Sequence, residues 1–500
     1  MEKTDNILVV GSGTAGLVTA LILKTRFPHK EIAVLSSSNI GIIGVGEGST
    51  EHWQEFIDYV KISKEELICE TDATLKYGIM FTNWVKEPYF QSVQQPYNFR
   101  YGLYHPIYAK AIGYGLQSKD VTLKETWDSV ISKNILNEKI TISQYHFNTF
   151  KLNEYLCKIC EQRGIKLIDD TITDMQLNDD GCIKSLIGKN SVYNYDFFID
   201  STGFKRLLIN KLGAEWESYS EYLKMKSAIT FQTPEEEIIP CWTLAHAMDY
   251  GWLFRIPILD RFGNGYVFDS DYINAEQAKE EVEKYFGKKI EIGKQINFDP
   301  GALKTVWIKN CVAIGLSASF VEPLEASSIG TTIQQGMLLA HRLEGYTQPV
   351  IDSYNKSCRA ITENIRDFII VHYLTDRNDT KFWKDVANLK LPKSLQEKLD
   401  IWKNRYPISE DLCYGVNTEY LMFEDINFGL VLHGLKFFNE ESIKREYDTL
   451  PQFIKNEVDD IMIKLKVSPK NNSTLTHKEY LNYIRKHYKL SKNIDKRLKM

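Results

Sequence analysis

Apolar residues along the chain fall into two rhythms. Short, almost wholly apolar runs mark buried strands of the parallel type: Asn6–Val10, Glu31–Leu35, Phe197–Asp200 and Cys311–Ile314. After the first run, Leu17, Ala20, Leu21 and Lys24 recur at helical spacing until Pro28 ends the pattern. Strand, glycine turn, helix and strand within about 30 residues form a βαβ unit opening a doubly wound sheet. Residues 220–270 alternate as antiparallel strands do, with Ala228–Gln232, then Tyr250–Ile258 and Tyr266–Asp269 around an expected turn at Gly263-Asn264-Gly265. From residue 350 onward helical periodicity dominates (Ile361, Ile365, Phe368, Ile369), with Trp383 and Trp402 as expected anchors.

Composition narrows the class. Of 500 residues, 43% are hydrophobic and 25% charged, an ordinary globular balance that excludes a wholly disordered or fibrous chain. Sixty-one basic against 66 acidic side chains give a net charge of −5, which argues against a dedicated nucleic-acid binder. The opening Met-Glu-Lys-Thr-Asp-Asn lacks the apolar core of a signal peptide. No apolar stretch reaches the ~20 residues of a membrane span, so the expectation is a cytoplasmic protein with no membrane partner. Cys157 and Cys160 have the spacing of a redox or zinc half-site, but no second pair follows and their surroundings read as an amphipathic helix. The histidines are dispersed, so no metal centre is expected. The strongly basic stretch 464–500 reads as a solvated helical tail, because Leu481, Ile484 and Tyr488 give it an apolar stripe; a contact with an anionic surface is the alternative.

Gly11-Ser12-Gly13-Thr14-Ala15-Gly16 follows a strand and opens a helix, the context a dinucleotide fingerprint requires. Gly11 makes the tight turn, Gly13 lets backbone N–H groups approach a pyrophosphate, and Gly16 lets helix pack on sheet. The helix N-terminus, carrying Thr14 and Ala15, favours the phosphate charge. The acid expected to hold the ribose is replaced by Ser36, in a Ser36-Ser37-Ser38 run, and Glu31 lies at the wrong end of that strand. Gly113-Tyr114-Gly115 and Gly263-Asn264-Gly265 both lack a third glycine. A single dinucleotide site points to FAD without a separate NAD(P)H site.

From residue 5 to about 345 the chain resembles the flavin-dependent halogenases of the tryptophan-halogenase type. Besides Gly11–Gly16, the resemblance is carried by Ile43-Gly44-Val45-Gly46-Glu47, Ala73-Thr74-Leu75-Lys76-Tyr77-Gly78-Ile79, Tyr145-His146-Phe147 and Phe198-Ile199-Asp200-Ser201-Thr202-Gly203-Phe204. Gly251-Trp252-Leu253-Phe254-Arg255-Ile256-Pro257 and Phe320-Val321-Glu322-Pro323-Leu324-Glu325 complete it. Broad-range members, marine and phage-borne ones included, stand as candidate nearer relatives. The resemblance implies an α/β, FAD-binding, doubly wound flavoprotein fold of the glutathione-reductase/hydroxylase kind, with an antiparallel sheet region and a helical C-terminal part. The expected layout assigns 1–85, 140–215 and 295–345 to FAD binding, 86–139 and 216–294 to the substrate side, and 346–500 to helices.

The chemistry implied is that reduced FAD (FADH2) and O2 oxidise a halide to hypohalous acid. That acid travels through a protein tunnel to a lysine matched by Lys76, with Glu325 as the second acid–base group; an electron-rich indole or phenol then takes the halogen. Read without the family, Lys76 is an ordinary surface lysine, and Glu325 a cap for the helix starting near Ser327. The cofactor positions implied are Gly11, Gly13, Thr14, Ala15, Gly16, Ser36, Gly46, Glu47, Gly203, Gly315 and Ile329. Halide binding falls to Ser327 and Ser328, where Ser328 replaces a family glycine, so chloride, bromide and iodide stand equal. Trp252 and Phe254 are expected to bar the substrate from the flavin, Pro257 to stand with them at the substrate side of the tunnel, and His105, with Tyr101, Tyr104 and Tyr108, to meet the substrate. A separate flavin reductase is the expected partner, and homo-oligomerisation stays open. The competing readings are a single-component flavin aromatic hydroxylase and a non-catalytic flavin-binding protein.

Overall fold

The structure, a computed structural model, describes residues 4–42, 48–92, 104–122, 124, 126–136, 144–416, 420–467 and 475–498. The chain divides into two compact units. The first comprises Met1–Ala73, Phe147–Ser220 and Asp299–Glu363; the second comprises Thr74–His146, Glu221–Phe298 and Asn364–Met500. None of the described helices is long and apolar enough to cross a membrane.

The apolar runs of the first unit pair as a six-stranded sheet in the order Trp307–Ile308, Cys311–Ala313, Phe197–Asp200, Asn6–Val10, Glu31–Ser36, Lys166–Asp169. All neighbours are parallel except the first two. Ile7, Leu8, Val9, Phe197, Phe198 and Ile199 are fully buried, as strands covered on both faces require. After Asn6–Val10 the chain fills the sheet to one side and then returns to the other. The carboxyl end of that strand is therefore the switch point where such sheets open a ligand crevice. The first helix, Thr14–Arg26, packs against the helix Ser327–Arg342, where Gly336 leaves room for Ile22.

The second unit is built on a seven-stranded sheet in the order Lys294–Asn297, Ser227–Pro234, Arg261–Phe268, Gly251–Ile258, Thr243–Ala247, Gly78–Thr82, Tyr89–Ser92. Only Thr243–Ala247 and Gly78–Thr82 run parallel. Ile229, Phe231, Leu253, Tyr266 and Phe268 cover the helix Ala275–Phe286 through Ala278 and Val282. The hairpin turn expected at Gly263-Asn264-Gly265 lies instead at Leu259-Asp260, with Asp260 at φ 69°. Gly265 sits inside the strand because Phe254, opposite it in register, lays its ring within 2.3 Å of where a Cβ would stand. Trp383 and Trp402 are fully buried anchors of the helical region, as expected; Trp402 donates its Nε1–H to Asp411 and packs on Phe428. Cys157 and Cys160 lie in the helix Thr149–Gln162 as free thiols.

The fingerprint glycines differ in what they do for the fold. A Cβ on Gly16 would stand 1.9 Å from the Gly11 carbonyl oxygen, whereas nothing lies within 4 Å of one on Gly13. Gly16→Ala is therefore expected to destabilise the cofactor-free protein by about 1–3 kcal/mol, and Gly13→Ala by less than about 0.5 kcal/mol. Thermal unfolding of both variants measures the contrast.

Candidate active site

The switch-point crevice is shaped by the first unit's backbone. Gly11 has φ 111°, and a Cβ there would meet the Ser201 carbonyl oxygen at 2.3 Å. No side chain caps the helix at Gly13, so its first-turn N–H groups, those of Thr14 and Ala15 among them, suit a phosphate. Asn153 fixes the turn by donating to the Ser12 carbonyl at 2.6 Å. Across the crevice, Gly315 (φ 68°) gives its N–H to Gln335 at 2.9 Å, and a Cβ on it would meet Ala15 at 2.7 Å. Ile329 stands half-buried in the first turn of Ser327–Arg342. The glycine turn, open space at Gly13 and uncapped helix start fit a dinucleotide pyrophosphate. Gly46 and Glu47 lie outside the described residues.

Two acids near the carboxyl ends of these strands were not among the expected site residues. Asp200 is fully buried. Its Oδ1 accepts from the Thr202 N–H, the Thr202 hydroxyl and the Ser317 hydroxyl, while its Oδ2 accepts from the N–H groups of Leu208 and Ile209. It thereby fastens the loops beyond two strand tips and holds Gly203 at φ 66°. Its signal was the Asp-x-x-Gly-Phe spacing. Asp169 ends the strand next to Ser36, opposite it in register, and accepts from the Ser38 N–H at 2.8 Å. That bond lowers its pKa and keeps the carboxylate ionised. An acid thus stands beside Ser36, supplied by the neighbouring strand, where no pattern within residues 31–38 could reveal it.

Glu325 closes the turn Pro323–Glu325 and is 3% exposed. The residue capping the next helix is Ala326, at φ 52° and without a side-chain hydrogen bond, so Glu325 is not that helix's cap residue. Ser327 is buried and Ser328 half-buried, and their carbonyls accept from the hydroxyls of Thr331 and Thr332, both at 2.9 Å. A buried carboxylate thus directly precedes an uncapped helix start, whose dipole favours negative charge.

Lys76 lies in the second unit and is only 1% exposed, against the ordinary habit of lysine. It ends the strand Thr74–Lys76, which pairs antiparallel with Gln144–His146. Each residue around it is tied down. The Thr74 hydroxyl donates to the Pro257 carbonyl at 2.6 Å, so at His146, 3.1 Å away, it is the acceptor and Nδ1 carries the proton. His146 Nε2 then accepts from Thr243 at 2.8 Å. The Leu75 N–H donates to His477 Nε2 at 3.0 Å, and the Tyr77 N–H to the Cys241 carbonyl at 2.6 Å. Burial, reinforced by the charge of Lys76, holds the His146 pKa well below its usual value; burial brings His477 to about 4. Both imidazoles are neutral near pH 7. His146 was marked only as part of the block Tyr145-His146-Phe147, and His477 and Thr243 gave no signal.

The remaining expected positions are also in the second unit. Trp252 is buried and Phe254 half-buried on the same side of Gly251–Ile258, with ring centroids 6.0 Å apart. Pro257 contributes the carbonyl that Thr74 uses. His105, on the helix Tyr104–Gly113, sets its Nε2 3.1 Å from Glu446 and its ring edge-on to Tyr406. Tyr108 stacks on Tyr406 and Tyr104 donates to Asp425, so these aromatics are engaged with the C-terminal helical region. Tyr101 lies outside the described residues.

The family model for tryptophan halogenases matches residues 6–451, reaching well into the helical region. Among curated proteins, the chain is 30% identical over 465 residues to the tryptophan 6-halogenase SttH of Streptomyces toxytricini, covering 82% of this chain and 86% of that one. It is 32% identical over 458 residues to the 7-chloro-L-tryptophan 6-halogenase KtzR of Kutzneria sp. (strain 744), covering 81% and 86%. The crystal structure of SttH superposes with a TM-score of 0.81 at 26% identity, covering 96% of this chain and 99% of that one. A tryptophan halogenase structure from Shewanella frigidimarina gives 0.82 at 25%, covering 97% and 98%. The chain belongs to the tryptophan halogenase family. It is accordingly an enzyme, a flavin-dependent halogenase with the family's FAD-binding fold, and it requires FAD and a halide.

Gly13→Ala is expected to raise the dissociation constant for FAD about tenfold, equal to ~1.4 kcal/mol, while the cofactor-free protein keeps its Tm; a titration followed by flavin fluorescence checks this. Acid provides a second test. The folded-state pKa of His477 lies below its unfolded value of 6.5. As pH falls, the unfolded chain therefore binds a proton that the folded one refuses, and stability is lost. Between pH 6.5 and 4 the slope from this residue approaches about 1.4 kcal/mol per pH unit. Unfolding curves across that range are expected to be shallower for His477→Gln.

Proposed function

We propose that this enzyme halogenates a small, electron-rich aromatic of the indole or phenol type, with Lys76 carrying the electrophilic halogen and Glu325 as its acid–base partner. Tryptophan is the first substrate to try, since SttH is by name a tryptophan 6-halogenase and KtzR a 7-chloro-L-tryptophan 6-halogenase. The observation that carries the reading is the burial of Lys76 on a strand whose neighbouring residues are all hydrogen-bonded in place. An aliphatic amine withdrawn from water in this way serves chemistry better than solubility.

FAD, delivered reduced by a separate flavin reductase, supplies together with O2 the oxidising equivalent that converts halide to hypohalous acid. Gly11, Gly13, Thr14, Ala15, Gly16, Ser36, Gly203, Gly315 and Ile329 hold the cofactor in this reading. The first-turn N–H groups at Ser327 and Ser328 take the halide. Ser328 brings a hydroxymethyl group where the family has glycine, which leaves bromide and iodide equal contenders with chloride. Trp252 and Phe254 keep the organic substrate away from the flavin.

At the lysine the overall step is aromatic C–H plus hypohalous acid giving aromatic C–X plus water. The Lys76 ammonium holds hypohalous acid by a hydrogen bond and gives its proton to the departing hydroxide, so that water leaves. The ring carbon takes the positive halogen, the Glu325 carboxylate takes the ring proton, and that proton returns to Lys76. Each group ends the cycle as it began.

The test mixes photoreduced FAD and enzyme with oxygen, each halide in turn and a panel of indoles and phenols, and reads product masses. The expected outcome is a halogen mass shift, with Lys76→Ala lowering product by at least about a hundredfold while flavin oxidation continues. Undiminished halogenation by that variant contradicts the role of Lys76. A halide-independent hydroxylated product favours the hydroxylase reading.

A further inference from the structure

The strand Thr74–Lys76 has its hydrogen-bonded partner, Gln144–His146, along one edge. A ladder of two short strands is marginal by itself. On the other edge the Leu75 N–H, one residue before the lysine, donates to His477 Nε2 at 3.0 Å. His477 begins the helix His477–Leu498 and is 1% exposed. Its place is set three ways. The strand Leu475–Thr476 pairs with Ile135–Leu136, and the His477 N–H donates to the Asn134 carbonyl at 2.8 Å. Thr476 and Glu479 form a reciprocal cap, in which Thr476 donates to the Glu479 carboxylate at 2.7 and 2.8 Å and the Glu479 N–H returns to the Thr476 hydroxyl at 3.2 Å. The second ring nitrogen, Nδ1, donates to the Ile239 carbonyl at 3.1 Å. This fixes the tautomer and reserves the Nε2 lone pair for Leu75, and burial keeps the ring neutral.

We propose that His477 is a positioning residue for Lys76: its imidazole holds the peptide immediately before the lysine, so that the start of the last helix sets the direction of the catalytic amine. The basic C-terminal segment thereby has a task at the reaction centre without touching the reacting atoms. The proposal rests on the reading of Lys76 as halogen carrier. Releasing the Leu75 N–H frees the strand edge, and a displacement near 1 Å at a reacting group costs on the order of a hundredfold in rate.

The test uses the full-length enzyme with reduced FAD, oxygen, bromide and tryptophan. It measures the ratio of brominated tryptophan to hypobromous acid escaping to a 1,3-diketone scavenger. His477→Phe, which keeps the ring volume and removes the acceptor, is expected to lower that ratio about tenfold or more while flavin oxidation per enzyme stays within about twofold. His477→Gln, which restores an acceptor oxygen, is expected to bring the ratio back to within about threefold of the parent. A purely structural histidine would lower bromination and escape together, and that result, or an unchanged ratio in His477→Phe, overturns the proposal. Lys76→Ala run alongside separates the two readings. If it keeps the parent ratio, the halogen-carrier reading fails and this proposal with it; if it loses the ratio while His477→Phe keeps it, only the role of His477 fails. Should His477→Phe not fold, hydrogen exchange of the unaltered enzyme decides. The proposal requires the amides of residues 74–77 to be protected and to open together with the start of the last helix; exchange typical of a free edge contradicts it.

Discussion

The burial of Lys76, a residue that ordinarily carries its charge at the surface, is the constraint that the strand Thr74–Lys76 answers. Taking such a charge into a protein interior costs several kcal/mol unless polar groups surround it and its backbone cannot drift. Here the strand is held through the Thr74 hydroxyl and the Leu75 and Tyr77 N–H groups by side chains and carbonyls from four separate stretches of chain, and at Lys76 by the ladder to Gln144. Two imidazoles stand in this network and both are kept neutral by burial, so neither adds a positive charge beside the lysine. Thr74 links the lysine strand to the carbonyl of Pro257, on the same strand as Trp252 and Phe254.

The first unit solves a different problem, the reception of anions. It does so with backbone more than with charged side chains. Two helices, Thr14–Arg26 and Ser327–Arg342, begin without a side-chain cap, one after a glycine with open space beside it and one after a buried glutamate. Uncapped N–H groups and the helix dipole favour an anion at each. Asp200 supplies the rigidity, because one carboxylate that accepts from two loops fixes both strand tips at once.

Local features were legible in the sequence. Asn6–Val10, the glycine turn and the helix after it follow from apolar runs and Pro28, and the fold class followed from the family blocks. The hairpin turn was misplaced because Gly263 and Gly265 look like turn residues when their cross-strand partners are unknown. Gly265 is in fact small to admit Phe254. Residue type alone assigns Lys76 to the surface, and only the family block marked it as special. His477, 401 positions beyond Lys76 in the chain, and Asp169, one strand away from Ser36, act through tertiary neighbours. No periodicity or short motif encodes such pairs.

The proposed reaction requires Lys76 and Glu325 to work on one bound hypohalous acid. A crystal structure of the enzyme with FAD and bromide measures this directly. The expected result is the Lys76 amine and the Glu325 carboxylate within about 6 Å of each other, close enough for their charges to couple strongly. A separation beyond about 10 Å, where water and salt screen such charges, or an amine turned outward into solvent, contradicts it.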